Sequence, residues 1–159
     1  MPNDKPTLDN ACAFVQDQVN HNHLVQERAW SFCGMLMRAA LTHDFTKFMP
    51  VEFEAFVDSR PSLQASTDGK DEAYQAALKS EGIQHHLQFN AHHPEHWNAK
   101  NLEMPPIQAL LMYFDWSARC EQKGVKMEAF QEYNHAKLAK QPGALELVKY
   151  LARFEPKPS

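Results

Sequence analysis

The sequence predicts an all-α fold, built as one compact helical bundle. Only five glycines occur among 159 residues, and apolar residues recur at steps of three and four along most of the chain, without the alternation that strands show. The hydrophobic fraction of 43% is sufficient for one well-packed core, and the length suits one domain. We therefore predict a single helical domain over residues 1–159.

The boundaries of the predicted helices follow from caps and breakers. Thr7 is placed to cap the first helix, whose apolar face begins at Leu8. No Gly or Pro separates the first helix from the second. Pro50 opens a short helix, and residues 59–68 are the most loop-like part of the chain. The predicted helices cover residues 7–27, 29–45, 50–56, 71–89, 107–120 and 127–154, the last interrupted near Pro142 and Gly143.

Composition and charge narrow the possible partners. The net charge of -4, with no run of like charges, disfavours binding to long duplex nucleic acid. The N-terminal residues lack the basic and apolar parts of a signal peptide, and the longest apolar segment, Ile107–Phe114, is too short to cross a membrane. Three cysteines without metal-type spacing suit small buried residues in a reduced compartment. We expect a cytoplasmic protein.

Three residues carry the strongest chemical signal. His43 and Asp44 are adjacent, and two metal-binding side chains side by side are hard to explain by packing, although an exposed helix end is the plain alternative. Asp115 interrupts the apolar segment LLMYFDWSA, where an unpaired carboxylate is costly unless a cation or strong donors face it. An ion pair with Arg38 or Arg119 would also satisfy it. Taken together, the three residues predict a metal site.

An upstream histidine would complete this ligand set. His21 and His23 point roughly 200° apart on a helix, so only one of them can face the metal. Two His and two Asp ligands suit a divalent ion such as Mn, Zn, Ni, Co, Mg or Fe, and they leave positions open for water and substrate. Lys47 follows His43 by one helical turn, so its ammonium could reach a substrate phosphate.

The string HHLQFNAHHPEHW begins at the end of the predicted helix 71–89 and continues into residues 90–106. We expect residues 90–106 to be an irregular loop that holds functional side chains. A second metal could be bound by His86 with His92 or His93, sharing Asp44. The alternatives for these imidazoles are hydrogen bonds that orient a ligand, proton donation to a leaving group, or phosphate contact. The side chains expected to contact substrate are His86, Asn90, His96 and Trp97, the last as a surface on which a base could stack.

The motifs HDFTKF, HHLQFNAHHPEHW and LLMYFDW resemble those of the HD-domain superfamily of metal-dependent phosphohydrolases, over about residues 20–119. They are more closely similar to an uncharacterised family of small bacterial and phage proteins with HD-SK-like, HHPEH and DW motifs, from which no activity carries over. The resemblance implies an HD-like helical bundle. It favours His21 over His23, because Val25 follows His21 by four residues. The metal ligands that it implies are His21, His43, Asp44 and Asp115, with Lys47 and the HHPEH segment lining the pocket.

HD phosphohydrolases commonly cleave nucleotide phosphate esters, so the resemblance implies a metal-bound hydroxide attacking phosphorus in a nucleotide or nucleotide-like phosphate. Lys47 would neutralise charge. Many relatives place an acid soon after the HD pair, whereas Phe45 and Thr46 follow it here, so we assign proton donation to His92 or His93. The alternatives are a di-iron oxygenase and a non-catalytic protein that sequesters a nucleotide. Two chains could pair through the C-terminal helices as a homodimer.

Overall fold

The computed structural model describes residues 7–66, 70–127, 134 and 136–154. It divides into two units, residues 1–39 and 40–159. Every element in the described residues is helical, which confirms the predicted all-α class. None of these helices combines the length and the hydrophobicity that a membrane crossing requires. In chain order the elements are α1 Leu8–Thr42, a 3-10 segment Phe45–Phe48, α2 Pro50–Ala65, α3 Glu72–Leu78, α4 Glu81–Phe89, α5 Pro94–Lys100, α6 Pro106–Lys123, α7 Pro142–Leu151 and a 3-10 segment Ala152–Phe154.

The described part of the first unit consists of Thr7 and of α1 as far as Ala39, and the last three residues of α1 belong to the second unit. The Thr7 hydroxyl accepts a hydrogen bond from the Asn10 amide at 3.3 Å, so the predicted cap is confirmed. The two helices predicted over residues 7–45 are one helix, because no Gly or Pro stands between them. Cys12 and Cys33 are exposed, so the prediction of buried thiols was wrong for these two and holds only for Cys120.

Helix α2 is much longer than predicted and continues through Pro61 to Ala65. The predicted loop 59–68 was therefore wrong over its first seven residues, and residues 67–69 lie outside the described part. Proline in a helix interior removes one backbone hydrogen bond. The helix tolerates this loss because α2 packs against α3, α4 and the 3-10 segment Phe45–Phe48.

The predicted helix 71–89 is two helices, α3 and α4, with a break at Lys79 and Ser80. The break allows α4 to lie very close to α2 at Gly82. A Cβ at that position would come within 2.2 Å of the Val51 carbonyl oxygen and 2.6 Å of the Ala55 Cβ. Only glycine fits this close approach of the two helices.

The predicted irregular segment 90–106 contains a short helix, α5. Pro94 occupies its first turn, where the fixed φ of proline is favourable, and Asn101 ends it with a positive φ of 54°. The irregular part that precedes α5 holds His92 and His93. Those two side chains therefore lie between two helices rather than in a long loop.

Helix α6 confirms the predicted helix 107–120 and extends it to Lys123, where Gly124 with a φ of 63° terminates it. Its buried face packs against α7, and Pro142 begins α7 as the predicted break required. Residues 128–133 and 135 of the predicted C-terminal helices lie outside the described part. The core is formed by Met104, Ala109, Met112, Tyr113, Trp116, Cys120, Met127, Leu138, Ala144 and Val148.

Candidate metal centre

Four parts of the second unit bring metal-ligating side chains together. His43 and Asp44 lie in the turn that follows α1, and the Lys47 amide donates to the Asp44 carbonyl at 3.0 Å as the 3-10 segment begins. The remaining contributors are His86 on α4, His92 and His93 in the turn before α5, and Asp115 on α6.

The Asp44 carboxylate is at the centre of this cluster. Its Oδ1 lies 3.3 Å from His86 Nε2 and 3.5 Å from His92 Nε2. Its Oδ2 lies 3.4 Å from His43 Nε2 and also contacts the Lys47 ammonium. The side chains therefore form two groups that share Asp44.

The first group, which we call the cavity group, contains His43, Asp44 and Asp115, with 3.7 Å between His43 Nε2 and Asp115 Oδ1. The second, which we call the histidine group, contains Asp44, His86, His92 and His93. Within it, His86 Nε2 and His93 Nε2 are 3.0 Å apart. The ligand atoms within each group lie no more than 4.8 Å from one another.

These separations fit coordination of a metal ion. Ligand atoms about 2.1 Å from one ion, at angles of roughly 90° to 110°, lie about 3.0 to 3.4 Å apart. The measured separations of 3.0 to 3.7 Å are close to this range. Moreover, Asp44 Oδ1 and His92 Nε2 are buried without a hydrogen-bond partner in the described residues. Such orphaned atoms are costly, and a cation bound between them would satisfy both.

Hydrogen bonds at Nδ1 fix the ring orientation of two histidines. His43 Nδ1 lies 2.8 Å from the Ala40 carbonyl oxygen, and His86 Nδ1 lies 2.9 Å from Glu52 Oε2. Carbonyl and carboxylate oxygens only accept hydrogen bonds, so both Nδ1 atoms donate to them. Each Nε2 then faces Asp44, which is the arrangement that metal-binding histidines adopt.

Sequence reasoning missed Glu52. Its side chain is fully buried, at 0% exposure, and its second oxygen, Oε1, lies 2.7 Å from His85 Nδ1. Periodicity did not distinguish it from the exposed Glu54 two residues later, because the apolar pattern of α2 is weak. Burial of Glu52 depends on the close approach of α4, which no local pattern reveals.

Electrostatics keep the two carboxylates ionised. Burial raises the pKa of Asp44, but the facing His86 and His92 and the Lys47 charge outweigh it and hold that pKa below its ordinary value. Burial also raises the pKa of Asp115, and His43 reverses the effect, so that the net shift is downward. Both carboxylates are therefore available as anionic ligands at neutral pH.

The imidazoles differ from one another in their protonation. The Asp115 carboxylate raises the pKa of His43, with burial acting in the opposite direction. Burial, followed by the charges of His92 and His86, holds the pKa of His93 well below its usual value. His93 is thus neutral near pH 7, as a metal ligand must be, whereas His43 keeps its proton to a higher pH than an ordinary histidine and must lose it to bind a metal.

A cavity of about 320 Å³ opens beside the cavity group. His43, Asp44 and Asp115 form its polar wall. The remaining lining residues are Ala40, Leu111, Phe114, Ala118, Arg119 and Gln122, most of them on one face of α6. The three imidazoles of the histidine group are not among the residues that line this cavity. The two groups therefore differ in their access to a small molecule.

The other predicted residues lie as follows. Asn90 is buried and donates to the Thr46 hydroxyl at 2.8 Å. His96 contacts the Gln88 carbonyl and Lys100 near the surface, and Trp97 packs against the core while its indole donates to the Ala91 carbonyl at 2.6 Å. Contacts of these side chains with substrate stay predictions.

The two upstream histidines, His21 and His23, both lie in the first unit and are exposed there. His23 Nε2 lies 3.4 Å from the Glu27 carboxylate. The ligand role of His21 stays a prediction. Asp115 Oδ1 lies 3.7 Å from His43 Nε2, and Arg119 donates to the Gln122 side chain at 3.1 Å. An ion pair of Asp115 with Arg38 stays a prediction.

Comparisons with known proteins give no activity. No curated protein and no solved structure matches the chain. Residues 11–153 match the model of DUF5662, which is described as a family of unknown function. With nearly the whole chain matched, the protein belongs to the DUF5662 family.

Proposed function

We propose that the second unit binds a divalent metal ion and that the protein is a metal-dependent phosphohydrolase acting on a nucleotide or nucleotide-like phosphate. The observation that carries the proposal is the Asp44 carboxylate, surrounded by imidazole Nε2 atoms at 3.3 to 3.5 Å and left with one orphaned oxygen. The resemblance of its motifs to HD-domain phosphohydrolases supports the reaction class.

In this proposal His43, Asp44 and Asp115 hold the ion at the cavity wall. A bound divalent ion lowers the pKa of a coordinated water and withdraws charge from a phosphoryl oxygen. The depressed pKa values of both carboxylates keep their negative charge for the ion. The Nδ1 hydrogen bond to Ala40 keeps His43 Nε2 directed at the site.

Lys47 adds positive charge beside Asp44. Its ammonium contacts Asp44 Oδ2 and lies 4.8 Å above the Phe56 ring, so its position is restricted. A fixed ammonium can stabilise the charge that accumulates on a phosphoryl group without reorganisation. We therefore keep Lys47 as the predicted charge-neutralising residue.

We distinguish between the two predicted proton donors by the pKa of His93. His93 has a pKa well below its usual value, so it is unprotonated near pH 7 and is better suited to bind a metal than to protonate a leaving group. His92 Nε2 faces Asp44 Oδ1 at 3.5 Å. If a proton comes from either residue, His92 is the better candidate.

The cavity supports a substrate of mononucleotide size. Its volume of about 320 Å³ is at the lower end of small-molecule pockets. Leu111 and Phe114 offer an apolar surface next to the ligands, and Arg119 supplies a guanidinium one helical turn beyond Asp115. In this proposal Phe114, rather than Trp97, is the aromatic residue nearest to a bound base.

A di-iron oxygenase is the second candidate, favoured by one observation. The histidine group supplies three imidazoles and shares Asp44 with the cavity group, so two ions bridged by one carboxylate would fit. Metal counting separates the candidates. A protein that binds a nucleotide without turnover would show metal and affinity but no product.

The test is elemental analysis of the purified protein, followed by a phosphate-release screen over nucleoside mono-, di- and triphosphates with the metal that is found. Asp44→Asn is the diagnostic variant, and Asp58→Asn, at an exposed aspartate of α2, is the matched control. Stoichiometric metal that is lost only in Asp44→Asn, together with phosphate release, supports the proposal. Two irons without phosphate release favour the oxygenase. No metal in the wild type refutes both.

A further inference from the structure

We propose that Glu52 is a positioning residue, whose carboxylate fixes the ring of His86 so that Nε2 is directed into the histidine group. The proposal rests on the proposed metal centre, because its consequence is a change in metal affinity. Glu52 Oε2 lies 2.9 Å from His86 Nδ1, and Glu52 Oε1 lies 2.7 Å from His85 Nδ1. One carboxylate thus contacts two consecutive imidazoles of α4.

Complete burial of the Glu52 carboxylate costs free energy. Its side chain is 0% exposed, and an ionised carboxylate in a protein interior is tolerated only when strong donors surround it. The charge lies inside the packed contact between α2 and α4, where His85 Nδ1 and His86 Nδ1 both face it.

The hydrogen-bond network assigns the proton on His86. Three polar atoms surround Nδ1, namely Glu52 Oε2, Thr46 Oγ1 at 3.2 Å and Asn90 Nδ2 at 3.0 Å. The amide of Asn90 already donates to Thr46 Oγ1 at 2.8 Å and to the His86 carbonyl at 2.9 Å, so both of its N–H groups are used. Since a carboxylate can only accept, the proton between His86 and Glu52 belongs to Nδ1.

The consequence appears at the opposite side of the ring. With Nδ1 protonated, His86 Nε2 can offer its lone pair, and it lies 3.3 Å from Asp44 Oδ1 and 3.0 Å from His93 Nε2. Without Glu52 the ring could turn or take the other tautomer, and Nε2 would no longer be a fixed ligand atom. Removal of a carboxylate that orients a metal-binding histidine typically lowers metal affinity about 10- to 100-fold.

The variant experiment compares Glu52→Gln, which keeps the size of the side chain, with Glu54→Gln, which changes an exposed neighbour on the same helix. Metal dissociation constants are measured by chelator competition with zinc. We expect Glu52→Gln to bind zinc about 10- to 100-fold more weakly than wild type, and Glu54→Gln to bind it equally well. Equal affinity in both variants overturns the inference and leaves the proposed metal centre standing.

A second measurement needs no metal. Nitrogen-15 NMR of the histidine rings in metal-free wild-type protein at about pH 8 reports which ring nitrogen carries a proton, and the signals that disappear in His86→Gln are those of His86. The inference requires a proton on His86 Nδ1, in slow exchange because the site is buried. A His86 ring protonated on Nε2 alone overturns it. If wild type binds no metal, the proposed function fails, while this measurement still decides the Glu52 contact.

Discussion

Gly82→Ala tests whether the contact between α2 and α4 assembles the site. The added Cβ would come 2.2 Å from the Val51 carbonyl oxygen, about 1.2 Å short of the 3.4 Å at which ordinary contact begins. The obstacle is backbone, which cannot swing aside as a long side chain can. Helix α4 must therefore move away from α2, carrying His86 away from Glu52.

The expected change in the free energy of unfolding of Gly82→Ala follows from two opposing effects. Alanine gains at most about 1 kcal/mol over glycine in helix propensity, whereas overpacking costs about 1 to 3 kcal/mol. Because the clash is severe, we expect a net loss of about 1 to 2 kcal/mol in the free energy of unfolding. For a chain of this length, that loss lowers the Tm by roughly 2 to 8 °C. Metal affinity should also fall at least about tenfold, since ligand distances tolerate only about 0.2 Å.

Thermal unfolding of the metal-free protein and zinc competition measure the two effects. Gly34→Ala is the matched control, because the one atom near a Cβ there, among the described residues, is at the flexible end of the Arg38 side chain, 3.6 Å away. It should leave metal affinity unchanged and raise stability by up to about 1 kcal/mol. A Gly82→Ala protein as stable as wild type, with unchanged zinc affinity, would refute the reasoning.

Two further predictions concern pH and substrate binding. The pKa of His43 is raised above 6.5 in the folded metal-free protein. The charged ring therefore stabilises the metal-free protein below pH 6.5, and this stability is lost as pH rises through the raised pKa. Metal binding, in contrast, requires the neutral ring. The difference in Tm between metal-loaded and metal-free protein should therefore widen from about pH 6 to 9, and a constant difference would contradict this. Arg119→Gln should raise KM about tenfold with little change in kcat, because Arg119 lines the cavity beyond the ligands, whereas Arg60→Gln, at an exposed position, should change neither.

The sequence was sufficient for the helical class and for most members of the candidate site. Adjacent His43 and Asp44, and an acid within an apolar helix at Asp115, are local signals, so they could be found without a structure. The dense histidine string gave His86, His92 and His93 but not their division between ligands and other roles, which depends on where α4 and α5 lie.

What the sequence could not predict depends on contacts between helices. Pro61 was predicted to lie in a loop, because proline is disfavoured inside helices, whereas packing against two other helices keeps it within α2. Gly82 was placed inside one continuous predicted helix, 71–89, although it lies where α4 approaches α2 closely. Glu52 was indistinguishable from an exposed acid until that contact buried it. Each failure arises from tertiary structure overriding a local preference.

The different access of the two ligand groups indicates where chemistry would occur in the proposed hydrolase. Catalytic metal sites keep a position open for water or substrate, whereas structural sites are closed by protein ligands. The cavity group faces a space of about 320 Å³, while His86 and His92 in the histidine group are 1% and 4% exposed. An ion held by His43 and Asp115 would therefore meet the substrate, and an ion in the histidine group would mainly hold Asp44 in place. Asp44 belongs to both groups, so its loss should abolish both functions at once.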